Sequence, residues 1–84
     1  MSNQIIREEK DILIEARKKL GLTQQQVADK ARIAMRHYQM FEVGKRKLSG
    51  ASFWTASKIL QALGLDVTTF ARGEYALRKT NDDK

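Results

Sequence analysis

The stretch Leu22–Arg46, LTQQQVADKARIAMRHYQMFEVGKR, decides how the rest of the chain is read. Thr23 can cap a helix, because its hydroxyl accepts from the unpaired N–H groups of the first turn. Gln24, Gln25 and Gln26 begin that helix, and Val27, Ala28 and Ala31 give it a buried stripe. Around Ala31-Arg32-Ile33-Ala34 the apolar phase changes. A second period follows through Ala34, Tyr38 and Phe41, which fall on one helical face. Met35, Arg36, Gln39, Met40 and Val43 fall on the other. Gly44 is a helix stop, since glycine enters the left-handed conformation without steric cost. Lys45, Arg46 and Lys47 follow directly. The spacing therefore predicts two short helices joined by a tight turn, then a basic loop.

Working outward, the chain is one small domain of 84 residues with 42% hydrophobic content, enough for a modest core. Lys and Arg total 16 against 10 acidic residues, a net charge of +6. That balance favours a polyanionic partner such as nucleic acid, although a charge of this size also keeps a small domain soluble. There is no cysteine, which excludes disulfide scaffolds and thiolate zinc sites. His37 is the one histidine and cannot build a multi-histidine metal site. No run reaches the length of a membrane span, and nothing resembles a signal peptide. The expected location is the cytoplasm.

Upstream, Ser2 or Asn3 is expected to cap a long first helix ending near Leu20, with Gly21 as its stop. Ile6, Leu13, Ala16 and Leu20 form its core stripe. Ile5, Ile12 and Ile14 widen the apolar surface, either as a broad core face or as a contact with a partner subunit. Glu8, Glu9 and Asp11 early, and Arg17, Lys18 and Lys19 late, suit the helix dipole. Downstream, the loop Leu48–Ala51 leads to a fourth helix from about Phe53 to Leu63, capped by Ser52 or Ser49. Phe53, Ala56, Ile59, Leu60 and Leu63 are expected to face inward. Gly64 ends it and Leu65 plugs the core behind. Asp66 caps a fifth helix, Val67 to about Arg72, with Phe70 buried and Gly73 as the stop. Trp54 falls at a rim, covered either by Tyr75, Ala76 and Leu77 or by a dimer contact. The domain is expected to span residues 1–73, followed by a partly disordered tail over 74–84.

Two amphipathic helices in a plain bundle would satisfy the spacing alone. The combination is more specific: two helices of the right length, a glutamine opening the first, long side chains outside the second, and a cationic loop. It resembles the helix-turn-helix family of phage repressors and Cro proteins, through Leu22-Thr23-Gln24, Val27-Ala28, Ile33, Tyr38, Phe41-Glu42 and Gly44-Lys45-Arg46. The resemblance covers roughly Leu13 to Phe70. It implies an all-α, five-helix, lambda-repressor-like DNA-binding domain with the motif at helices 2 and 3. It also implies a transcriptional regulator, repressor-like, that binds double-stranded DNA with the helix Met35–Val43 in the major groove. The usual proline of the loop after the motif is missing and the loop is longer than usual.

On that resemblance Met35, Arg36, Gln39 and Met40 are the base-contacting candidates. Arginine can bond both O6 and N7 of guanine, glutamine can read adenine, and methionine can only meet a thymine methyl. Gln24, Arg32, His37, Lys45, Arg46 and Lys47 are the backbone-contacting candidates, which position without reading sequence. Arg32 stands where relatives hold a glycine, so it either takes the left-handed conformation at a cost or the turn differs. Arg17 is expected to pair with Glu42 as a structural ion pair; otherwise it reaches solvent along its own stem. One motif offers little surface, so a homodimer on two half-sites is expected. No cofactor or metal is expected, and no catalytic constellation is present. The rival reading is an antitoxin-like module of the same fold that binds a toxin or other protein and little DNA. RNA is less favoured, because the aromatics are expected inside rather than displayed for stacking.

Overall fold

The computed structural model describes residues 4–79. Along the chain run β1 (Gln4–Ile6), α1 (Glu9–Lys19), α2 (Gln24–Ala31), α3 (Met35–Glu42), a 3-10 turn (Leu48–Gly50), α4 (Phe53–Ala62), α5 (Val67–Ala71), a second 3-10 turn (Glu74–Ala76) and β2 (Leu77–Lys79). The five α-helices form a lambda-repressor-like domain.

Local chemistry sets the ends of the motif helices. Thr23 and Gln26 form a reciprocal capping box at α2: Gln26 N donates to Thr23 Oγ1 at 3.1 Å, and Thr23 N donates to Gln26 Oε1 at 2.8 Å. Arg32 closes α2 in the left-handed conformation at φ 58°, ψ 45°. The turn thus keeps its shape without a glycine. Gly44, at φ 84°, closes the turn after α3. Ser52 Oγ accepts from Thr55 N at the start of α4, and Asp66 Oδ2 from Thr69 N at the start of α5.

The core sits where α2 packs against both α3 and α4, with α1 laid on α3. Leu13, Val27, Tyr38, Phe41, Leu48, Ile59, Leu60 and Leu63 fill it. The short Ala28 and Ala31 let the helices approach closely.

Several expectations are corrected. The first helix begins at Glu9, because Glu8 is extended at φ −76°, ψ 158°. The residues before it form β1 instead, antiparallel to β2 in the register Gln4↔Lys79, Ile5↔Arg78, Ile6↔Leu77. The expected caps Ser2 and Asn3 lie outside the described residues, as do residues 80–84. Glu74–Lys79 is not a bare tail. Arg7 holds its turn to the body, its N donating to Ala76 O at 2.6 Å and its guanidinium to Tyr75 O.

Ile12 is buried in the protein's own core. Leu20, expected in the stripe, is 51% exposed at the end of α1. Phe53, expected inside, is 75% exposed as the first residue of α4. Trp54 is 69% exposed and is not covered by Tyr75; its neighbour is Lys58, whose Nζ lies 5.6 Å from the ring centroid. The Tyr75 hydroxyl accepts from Asp66 N at 2.9 Å, which turns that ring toward α5. Ala34 is exposed at the N-cap of α3, and Phe70 is half-buried.

Candidate nucleic-acid interface

The site is built on a buried carboxylate. Glu42, in the last turn of α3, is 4% exposed. Arg17 of α1 meets it with two nitrogens, Nε to Oε2 at 2.7 Å and Nη2 to Oε1 at 3.2 Å. The third arginine contact, Nη1 to Leu22 O at 3.0 Å, ties α1 to the entrance of α2. Tyr38, one turn before Glu42, donates its hydroxyl to Oε2, and Gln24 Nε2 donates to Oε1 at 2.9 Å. Burial pushes the Glu42 carboxyl upward, but the bonds from Arg17, Tyr38 and Gln24 outweigh it and hold the group below its ordinary range. The bond to Glu42 raises Arg17, while burial first and Glu42 second raise Tyr38. An ion pair satisfied on this many sides fixes the angle of α3 against α1 and α2.

Two parts of this network were not read from the sequence. Tyr38 and Glu42 are spaced i, i+4 on one helix, a signal that could have paired them. Gln24, expected to face a phosphate, turns its amide inward to Glu42. It also accepts from Gln39 Nε2 at 3.0 Å. A third contact has no sequence signal: Glu9 Oε1 accepts from Leu48 N at 2.7 Å and pins the loop that follows the motif.

Around this core the expected contact residues separate. Arg36 stands exposed on α3, and Arg32 is exposed in the turn before it. Lys45, Arg46 and Lys47 are exposed in the loop after Gly44. None of these five cations is in an ion pair among the described residues. Gln39 and Met40 are half-buried on the same helix. Met35, placed outside by spacing, is half-buried and packs partly on the core, because it lies one turn before Tyr38. His37 rests against Phe41, their ring centroids 5.2 Å apart. With Arg46, Lys47, Ser52 and Thr55 it lines a cleft of about 320 Å³ between α3 and the start of α4. The structure thus brings Arg36, Gln39, Met40, His37 and the basic loop together around α3, and draws Gln24 and part of Met35 away from solvent.

A short helix held across a first one, with cations around its outer face, defines a helix-turn-helix DNA-binding domain. The family model for helix-turn-helix domains matches residues 13–70, more than half of the chain, and the chain belongs to that Cro-type helix-turn-helix family. It is a DNA-binding regulator domain whose partner is double-stranded DNA, and the family is not an enzymatic one. No curated protein matches the chain. Among the described residues, no helix is long and apolar enough to cross a membrane.

Proposed function

We propose that this protein is a sequence-specific transcriptional regulator of the repressor type, acting in the cytoplasm as a homodimer on DNA and without enzymatic activity. The observation that supports it best is Arg36, exposed and in no ion pair among the described residues, on a helix whose base is locked by Arg17 and Glu42. Rigid placement is what base reading needs, since a bidentate contact to guanine tolerates little misalignment. In this reading α3 enters the major groove, and Arg36, Gln39 and Met40 meet base edges with Met35 at their margin. Arg32, His37, Lys45, Arg46 and Lys47 meet phosphates. Two copies would read half-sites about one helical turn apart.

The test is a salt titration of binding on a selected duplex and on random DNA. Arg36→Ala is expected to cost about 1–3 kcal/mol on the selected site and little on random DNA. Lys47→Ala is expected to weaken both and to lower the slope of log affinity against log salt by about one per lost phosphate contact. Equal weakening of both duplexes by both variants contradicts this division of roles. A second reading, a protein-interaction module of the antitoxin kind, draws on the exposed Phe53 and Trp54. It takes the lead if neither variant changes binding to DNA.

A further inference from the structure

The side chain of Gln39 does not choose its own orientation. Glu42, charged and paired with Arg17, can only accept hydrogen bonds. Gln24 therefore turns its Nε2 toward Glu42 Oε1, at 2.9 Å. Reversing that amide would set two acceptor oxygens against each other in a half-buried place. With its nitrogen committed, Gln24 has only Oε1 to offer on its other side. Gln39 meets that oxygen with Nε2 at 3.0 Å. Its own Oε1 and its second Nε2 hydrogen take part in no hydrogen bond among the described residues, and both are left free for a further partner.

We propose that Gln24 is a positioning residue for DNA specificity: by fixing the amide of Gln39 it makes that side chain present Oε1 outward and select a base with an exocyclic amino group. Adenine fits best, because its N6–H donates to Oε1 while its N7 accepts from the remaining Nε2 hydrogen. Cytosine, with N4–H alone, comes second. Guanine and thymine offer only acceptors to that oxygen in the major groove. The inference rests on the proposed placement of α3 in that groove. It gives Gln24 a role different from phosphate binding, and it extends the buried ion pair into the choice of base.

The test uses the full chain as wild type, Gln24→Leu, Gln39→Leu and the double variant. Each is titrated against four duplexes that differ at the base pair where Gln39→Leu alters the selected consensus. The wild type is expected to prefer adenine over guanine or thymine by roughly tenfold or more. Gln24→Leu should reduce that preference to about threefold or less, and the preference that depends on Arg36 should stay intact. The double variant should lose no more at this position than Gln39→Leu alone, as expected of two residues acting through one contact.

The proposal is overturned if Gln24→Leu keeps the full preference, or if it weakens all four duplexes equally, as loss of a phosphate contact would. A wild type that shows the Arg36-dependent preference but none at Gln39 overturns this inference and leaves the proposed function standing. A wild type that binds no duplex overturns both. Side-chain amide exchange in the free wild type covers the case of a Gln24→Leu chain that does not fold. The Gln39 amide proton bonded to Gln24 should exchange at least about tenfold more slowly than those of the exposed Gln61, and equal rates overturn the proposal.

Discussion

Around Glu42, three side chains from three helices converge on two oxygens, and the carboxylate is almost wholly covered. At the start of α4, on another side of the same small domain, two aromatic rings stand in solvent with one lysine near them. The first region places a polar group where burial is costly and then satisfies it fully. The second leaves apolar groups where water is available and satisfies nothing. Polar groups hold the geometry of the motif here, while apolar groups at the start of α4 contribute little to holding the fold. The usual expectation assigns those roles the other way round.

The sharpest way to break this comparison is to remove the carboxylate. Glu42→Ala leaves the Arg17 guanidinium without its counter-charge, and is expected to lower stability by about 3–5 kcal/mol, read as the urea midpoint. An unchanged midpoint would mean that the network holds nothing. Proton uptake tests the same point more gently. The folded-state carboxyl lies below its ordinary value near 4.5, so its contribution is complete above that value and is lost as pH falls through the folded one. The stability difference between wild type and Glu42→Gln should stay constant from pH 7 to about 5 and shrink below about 4.5. A difference that grows on acidification would reverse the sign assigned here.

Arg32 offers a smaller effect. Its left-handed backbone costs a non-glycine residue of order 1 kcal/mol, so Arg32→Gly is expected to raise stability by about 0.5–1 kcal/mol after glycine's own entropy is counted. Thermal unfolding of the two proteins in parallel measures it. The smallest effect belongs to α4. Phe53→Ser should change stability by no more than about 0.5 kcal/mol, and Trp54 should emit as a solvated indole in both proteins. A larger loss would show that the exposed rings take part in the core after all.

What could be read in the sequence followed from whether a residue's partner was close along the chain. Thr23 and Gln26 are three residues apart, and Gly44 acts on its own turn, so the motif's boundaries were legible. The pairing of Arg17 with Glu42 came through resemblance, since nothing local connects the two positions. Ile5 and Ile6 fit a helical stripe locally, and their strand exists only through Leu77–Lys79, far along the chain. Phe53 has correct helical spacing to Ala56 and Leu60. Spacing marks a face, however, and not how far along the helix that face remains covered. The place of Gln24 at a helix N-terminus points it outward. Its inward turn depends on Glu42, eighteen residues later, and on hydrogen-bond polarity that no pattern of hydrophobicity carries.

The pairing of β1 with β2 has a practical meaning for how the molecule can be handled. Paired positions of an antiparallel ladder lie about 5 Å apart at Cα, so Gln4 and Lys79 emerge from one corner of the body. Two reporters attached at Gln4 and Lys79 would start as near neighbours and separate only when the ribbon opens. A short flexible bridge between Gln4 and Lys79 would close residues 4–79 into a ring with every helix left in place. New ends could then be cut in the exposed stretch Lys45–Lys47, giving a permuted chain with the same helices and a different order of assembly.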